Sequence, residues 1–416
     1  MTTTKNRIVV TGTGAVSPLG LNVPTLWQAL MSGQSGVERI TLFDPTEFET
    51  TFAAEVKAFN AADHIEPREA KRMDRYTQFA VVAAHEAVTQ ARTDFSNPRE
   101  IGVIIGSGIG GLSSLSTQMA VLAEKGPRRV SPLVIPMMIT DAAASHISIM
   151  LGAKGVNFCA TSACSSGADA IGEACEIIRR GDAEVMLAGG SEAAITPIGI
   201  AGFNAIGALS RRNAEPHKAS RPFDVERDGF VMGEGAGVLV LESLEHALRR
   251  DANILAEVIG YGATSDAYHI TQPAEHGEGG AKAMRLALRK AGVEASEIDY
   301  INAHGTSTQL NDKCETMAVK SALGDPAYRI PMSSTKSMTG HLIAAAAAIE
   351  AIICILTIQN DVIPPTTNLE HPDPACDLDY VPHESRKKTV RTALSNSFGF
   401  GGHNSVLIFR EFSEGG

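Results

Sequence analysis

Short apolar runs bounded by glycine alternate with amphipathic stretches from one end of this chain to the other, and that alternation limits the fold more than any other feature. Ile101-Gly-Val-Ile-Ile105, Glu184-Val-Met-Leu-Ala188, Gly237-Val-Leu-Val-Leu241, Tyr300-Ile-Asn-Ala303 and Val406-Leu-Ile-Phe409 read as strands buried on both faces. Between them, Glu173 to Arg180 and Ala281 to Ala291 carry apolar residues three and four apart, the period of helices packed on a sheet. The fold class is therefore α/β. The 416 residues allow two or three average domains or one duplicated fold. Duplication is the better reading. A strand and Gly-rich loop (Ile101 to Gly111) precede a loop-to-helix segment (Ala160 to Arg180), and Asp299 to Asp312 followed by Ser333 to Ile358 repeats that order. The junction is expected near Arg250 to Ala256, dividing the chain into residues 1–252 and 253–416. Gly126 to Met138 lacks periodicity and is expected to cross the surface or a subunit interface.

Charge and cysteine usage narrow the function classes. Lys plus Arg total 36 against 47 for Asp plus Glu, a net charge of −11, which excludes a general nucleic-acid binder but permits a local basic patch. The six cysteines form no C-x-x-C pair and no zinc-finger spacing, as expected of a reduced cytoplasmic protein. Met1 to Arg7 is polar and leads directly into Ile8-Val9-Val10, so no signal peptide is expected. The run Leu342 to Ile358 is interrupted by Glu350 and falls short of the ~20 residues of a membrane span.

Four segments carry the chemistry. In Ala160-Thr-Ser-Ala-Cys-Ser-Ser-Gly167, Cys164 starts the helix that runs to Arg180. Helix-terminal N–H groups favour a thiolate there and can stabilise an oxyanion after attack on a thioester; the competing reading is a buried structural cysteine. His304, in Asn302-Ala-His-Gly-Thr-Ser-Thr-Gln-Leu-Asn-Asp312, leaves a strand end where α/β folds place their sites, with the Thr306 and Thr308 hydroxyls nearby. A helix-capping turn with a satisfied histidine explains the same residues. In Ser333-Ser-Thr-Lys-Ser-Met-Thr-Gly-His341, Lys336 either holds the His341 imidazole neutral or points into solvent. Asn396-Ser-Phe-Gly-Phe-Gly-Gly-His-Asn404 is either a mobile cap over a pocket or a plain glycine turn with core phenylalanines. A fifth segment, Gly106-Ser-Gly-Ile-Gly-Gly111, satisfies G-x-G-x-x-G, but the residues after it read as one helix ending at Glu124-Lys125-Gly126. No second strand follows to complete a dinucleotide site.

Together with Arg7-Ile-Val-Val-Thr-Gly-Thr-Gly14, Ser220-Arg-Pro-Phe-Asp224 and Arg227-Asp-Gly-Phe-Val-Met-Gly-Glu-Gly235, these segments resemble the β-ketoacyl-[acyl-carrier-protein] synthases. The resemblance is strongest to the elongating type II condensing enzymes. It implies a thiolase-like fold of duplicated α/β halves in a five-layered αβαβα sandwich. It also implies decarboxylative condensation of acyl chains with malonyl-[acyl-carrier protein]. The implied catalytic set is Cys164, His304 and His341, supported by Lys336, Asp312 and Glu315. Phe400 is implied as gate and, with the Cys164 N–H, as oxyanion donor. Ile109, reaching from across the dimer interface, and Phe203 would line the acyl pocket, and Thr306 and Thr308 would hold the pantetheine arm. Arg68, Lys71, Arg72, Arg211 and Arg212 are the candidate patch for acidic carrier protein. No cofactor and no catalytic metal are implied, but a structural sodium or potassium ion near Glu350, Asn302 and Asn396 is. A homodimer, with no nucleic-acid or membrane partner, is expected. Two histidines separate this pattern from initiating synthases, which pair His with Asn. Thiolases need a second cysteine, and Ser395 to Asn404 has none. A secondary-metabolite ketosynthase shares the same residues. A non-catalytic chain-length subunit would lack Cys164.

Overall fold

The apolar runs form strands because β-branched residues on both faces of each run are buried by helices above and below. The computed structural model describes residues 7–93 and 97–413. Its main sheet has ten strands: β1 (Ile8–Val16), β2 (Ile101–Gly106), β3 (Asn157–Phe158), β4 (Val185–Glu192), β5 (Gly235–Ser243), β6 (Ala256–Ser265), β7 (Tyr300–Asn302), β8 (Met332–Ser333), β9 (Thr392–Gly399) and β10 (His403–Arg410). Their spatial order is β8-β7-β9-β10-β6-β1-β5-β4-β2-β3.

That order is one pattern written twice. From the centre outward it runs β1-β5-β4-β2-β3 on one side and β6-β10-β9-β7-β8 on the other. On each side the two inner pairings are antiparallel and the two outer ones parallel. The sides meet where β1 and β6 pair antiparallel through Val9 with Glu257 and Val10 with Ala256.

Six helices complete the layers: α1 (Arg75–Ala91), α2 (Leu112–Lys125), α3 (Ser166–Arg180), α4 (Glu278–Ala291), α5 (Gln309–Leu323) and α6 (Ala346–Asn360). Helix α1 lies on the outer face of β1 and β5, and α4 on the outer face of β6 and β10, with α5 packed against α4. Helices α3 and α6 lie between the two sides of the sheet, α3 touching β4 and β10 and α6 touching β5 and β9. The result is the five-layered αβαβα sandwich. The outer helices approach alike on both sides. A Cβ on Gly12 or Gly14 would fall 2.1 or 1.9 Å from the carbonyl oxygen of Ala87 or Ala83, and one on Gly262 would fall 2.2 Å from that of Ala283.

One sequence expectation needs correction. Ile343–Asn360 is one continuous helical stretch, long and apolar enough to cross a bilayer, because Glu350 does not interrupt it. It is apolar all round because it is buried between two sheet faces. Gly126 to Met138 runs over the surface as expected, none of it buried, with a 3₁₀ turn at Pro127–Arg129 and a short helix at Val134–Met138. Helix α2 ends at Lys125 as expected, and no strand follows it before β3.

Candidate active site

Cys164 sits on a sharp turn between an extended segment and α3. Ala163 holds φ +52°, a left-handed conformation costing a non-glycine residue about 1 kcal/mol, so the surroundings must impose it. They do so through hydroxyls: Ser166 Oγ accepts from Ser162 N–H (2.9 Å) and donates to Ala163 O (2.6 Å), and Ser165 Oγ donates to Ser162 O (2.8 Å). The turn presses on the loop after β9. A Cβ on Gly399 would lie 2.8 Å from Ser162 O and 3.0 Å from Cys164 N. This contact brings the Phe400 N–H to the thiol, alongside Cys164's own N–H.

The expectation of a resting thiolate is not met. Burial pushes the Cys164 thiol up to about 11, against the opposing pull of Lys336 and of the two N–H groups. Helix-terminal donors favour the anion, but desolvation outweighs them here. Attack by sulfur therefore needs a proton acceptor.

Two neutral imidazoles stand in the same cavity, a space of about 470 Å³ lined by Cys164, His304, His341, Phe203, Phe398 and Phe400 among others. The rings of His304 and His341 meet edge to face, centroids 5.4 Å apart. Burial, then Lys336 and His341, holds His304 well below the ordinary histidine range; burial, then Lys336, does the same for His341. Nδ1 of each is sealed from solvent and without a partner among the described residues, leaving Nε2 for a ligand. The two rings are held by different elements. Glu315, on α5, accepts from His304 N–H (2.8 Å), Gly305 N–H (2.7 Å) and the Asn396 amide (3.0 Å), tying His304 to β9; burial first raises this carboxyl to about 7. Asp312 accepts from Phe223 N–H and Ser307 N–H (2.8 and 3.2 Å) beside Arg227. His341 is anchored through its backbone, donating to Val231 O (2.7 Å), and Phe230 packs edge-on against its ring at 5.2 Å. Phe230 was not singled out from sequence, since an aromatic in a glycine-rich stretch reads as core.

Lys336 is buried and bonded to Glu350, not solvated. Around that pair, Glu350 Oε2, Asn302 Oδ1 and Asn396 Oδ1 are buried oxygens without hydrogen-bond partners among the described residues. Thr306 and Thr308 line the cavity mouth with their hydroxyls 3.1 Å apart, and Thr308 also caps α5 by accepting from Asn311 N–H (3.3 Å). The segment is thus a helix-capping turn as well as a pocket wall, but its histidine is not a satisfied one. Phe203 and Phe400 face each other at 6.4 Å, and Ile109, expected to reach the pocket from across a dimer interface, packs instead in one apolar cluster with Cys164 and Phe203 of its own chain.

The glycine loop has an internal occupant. Glu192, at the end of β4 and fully buried, accepts from Ser107 Oγ (3.0 Å), Gly108 N–H (2.8 Å) and Ile109 N–H (3.3 Å). The N–H groups a phosphate would need are already spent on a carboxylate. Sequence reasoning missed Glu192 because nothing near it in the chain marks it.

Arg68, Lys71, Arg72 and Arg211 are exposed and Arg212 half-buried. Arg72 pairs with Glu69, Arg211 with Glu49 and Arg212 with Glu226, and no hydrogen bond or ion pair among the described residues joins the two groups.

A reactive-type cysteine on a helix-leading turn, facing two histidines across the junction of a duplicated αβαβα sandwich, is the arrangement of thiolase-like condensing proteins. The sequence matches the beta-ketoacyl synthase N-terminal domain over residues 5–247 and its C-terminal domain over residues 255–370, and the chain belongs to that family. It is 52% identical to a 3-oxoacyl-[acyl-carrier-protein] synthase 2 of Synechocystis, covering 98% of this chain and 99% of the relative. It is 51% identical to the enzyme of that name from Staphylococcus aureus, covering 98% of each. Among solved structures, a beta-ketoacyl synthase from Burkholderia phymatum superposes with a TM-score of 0.91 at 38% identity, covering 98% of this chain and all of that one. A ketosynthase in complex with its type II polyketide acyl-carrier protein superposes with a TM-score of 0.91 at 37% identity, covering 98% and 99%.

Proposed function

We propose that the protein condenses acyl chains with malonyl-[acyl-carrier protein] in fatty acid elongation, releasing CO2 and β-ketoacyl-[acyl-carrier protein]. The observation that carries this is one thiol and two neutral imidazoles opening on a single cavity. Identity above 50% over nearly the full length to synthases of type 2 favours fatty acid elongation over a secondary-metabolite pathway, whose solved ketosynthases stand at 37%.

In the first half-reaction Cys164 sulfur bonds the acyl carbonyl carbon and the carrier's thiolate leaves, taking up the proton that the cysteine gave to an imidazole. The carbonyl oxygen, anionic at that stage, is received by the N–H groups of Cys164 and Phe400. In the second, His304 and His341 donate to the malonyl thioester oxygen. The bond to the carboxylate breaks, CO2 departs, and both donors stabilise the enolate oxygen. The carbanion attacks the Cys164 thioester carbon, the C–S bond breaks, and the leaving sulfur takes a proton from water, the one proton that the decarboxylative half-reaction consumes. Neutral imidazoles suit this step because each keeps one N–H to donate without adding a buried charge. Glu315 holds the His304 backbone, Asp312 holds the Ser307 turn beside it, and Lys336 helps keep both rings neutral. Phe400 gates the passage between the acyl and malonyl sides. Ile109 and Phe203 line the acyl side, and Thr306 and Thr308 hold the pantetheine.

Residues 1–252 supply the nucleophile and residues 253–416 the histidines. No redox cofactor enters this scheme. The buried oxygens of Asn302, Asn396 and Glu350 without partners among the described residues are hard donors that would suit a sodium or potassium ion, in addition to the Lys336 ammonium already bonded to Glu350. A homodimer through the β3 edge is supported by exposed Met119, Leu122, Ile135, Ile149 and Phe158 around that edge strand. The acidic carrier protein would dock on the Arg68, Lys71, Arg72, Arg211 and Arg212 surface, in the cytoplasm. The test is incubation with malonyl-carrier protein and a series of acyl-carrier proteins: a two-carbon-longer β-keto product is expected, and acylation of Cys164 without condensation would refute the reading.

A further inference from the structure

Glu192 is a fully buried carboxylate that the condensation scheme does not use. It terminates β4, where it pairs with Gly235, and its side chain turns into the loop after β2. Oε1 accepts from Ser107 Oγ and Ile109 N–H, and Oε2 from Gly108 N–H. Ser107 Oγ in turn accepts from Gly110 N–H at 3.0 Å. Every residue from Ser107 to Gly110 is thus bound to this carboxylate directly or through one hydroxyl. The loop also touches the nucleophile's turn: Ser107 N–H donates to Ala160 O (3.2 Å), Thr161 Oγ1 donates to Ser107 O (3.0 Å), and a Cβ on Gly108 would lie 3.6 Å from Ala163. Ile109, at the loop's crest, packs in the cluster that holds Cys164, Phe203, Ile195, Ile200 and Ile343.

We infer that Glu192 is a positioning residue for acyl transfer: by seating the Ser107–Gly110 loop it fixes Ile109 as the acyl-chain wall beside Cys164 and so sets selectivity for acyl length. This rests on the acyl-side reading of Ile109 above. Burial raises the Glu192 carboxyl to about 7, and the donors of the loop pull the other way, favouring the anion they bind. A glutamine cannot replace it. An amide has one acceptor oxygen, and whichever way it turns, its NH2 faces either the Gly108 N–H or the Ser107 and Ile109 donors.

The experiment compares Glu192→Gln, Ile109→Ala and the double variant. It measures Cys164 acylation by intact mass across short and long acyl-carrier proteins, and CO2 release from malonyl-carrier protein. Losing one charged hydrogen bond in the loop is worth about tenfold. Glu192→Gln should therefore change the long-to-short acylation ratio by about tenfold while CO2 release stays within about twofold. The double variant should shift the ratio no further than Ile109→Ala alone. An unmoved ratio, an equal loss at every acyl length, or additive effects would overturn the inference. Should Glu192→Gln not fold, Ser107→Ala removes only the hydroxyl bridge and should move the ratio in the same direction by about threefold; no movement overturns the inference equally. A wild-type chain that takes no acyl group onto Cys164 would instead refute the proposed function.

Discussion

Replacing Gly399 by alanine tests how acyl transfer depends on the contact between the nucleophile's turn and the loop after β9. The added Cβ would stand 2.8 Å from Ser162 O and 3.0 Å from Cys164 N, both backbone atoms that no rotamer change can move aside. Carbon–oxygen contacts relax to about 3.4 Å, so turn and loop must part by about 0.5 Å. That displacement falls between the N–H groups of Cys164 and Phe400, the two donors assigned to the acyl oxyanion. Losing one such donor costs about 10²–10³ in rate, and a 1 Å misplacement about 10². A half-ångström opening should therefore slow Cys164 acylation by roughly 10–100-fold. CO2 release from malonyl-carrier protein, which relies on the histidines, should change by less than about threefold. Stopped-flow acylation read by intact mass, with thermal melting as the control for folding, decides the matter. Wild-type acylation in a folded Gly399→Ala variant would refute the reasoning, as would an equal loss of decarboxylation.

Two further perturbations separate charge from shape. Lys336→Met removes a cation that helps hold both histidines below their ordinary range, so their pKa values rise and the acid limb that the histidines set on decarboxylation should move to higher pH. Loss of Lys336 also leaves Glu350 unpaired, but that carboxyl is already raised to about 7 and protonates, so a stopped-flow pH profile with an unmoved limb would exclude the electrostatic role. Reversing Lys71 and Arg72 to Glu should raise KM for carrier-bound substrate severalfold and lessen its salt dependence, leaving small pantetheine thioesters unaffected; equal loss with both substrates would remove the patch.

Much of this was legible in the chain. The runs at Ile101, Glu184, Gly237, Tyr300 and Val406 all lie in strands of the main sheet or begin immediately beside one, since a strand buried on both faces must be apolar throughout. Cys164, His304 and His341 converge because each follows a strand end or leads a helix, where α/β folds gather their sites. What was not legible depends on distance in space. The pull of the helix terminus on Cys164 can be read from neighbours in sequence, but the burial that reverses it comes from the walls of the cavity. Glu192 fills the glycine loop from a strand more than eighty residues away, so the G-x-G-x-x-G spacing could be discounted but its occupant not named. The Lys336–Glu350 pair joins two helical segments separated at Gly340 to Leu342, and so required that break to fold the chain back.

The central claim divides the labour between one sulfur and two imidazoles, and three variants measured side by side test it. Cys164→Gln removes the nucleophile, its amide filling roughly the space of an acylated cysteine, and leaves both rings in place. His304→Ala and His341→Ala each remove one donor and leave the thiol. CO2 release from malonyl-carrier protein and acyl-enzyme mass are recorded for all three. Cys164→Gln should abolish condensation while still releasing CO2; each histidine variant should still accept an acyl group but lose about 10²–10³ in decarboxylation. Decarboxylation that stops in Cys164→Gln and persists in the histidine variants would contradict the account.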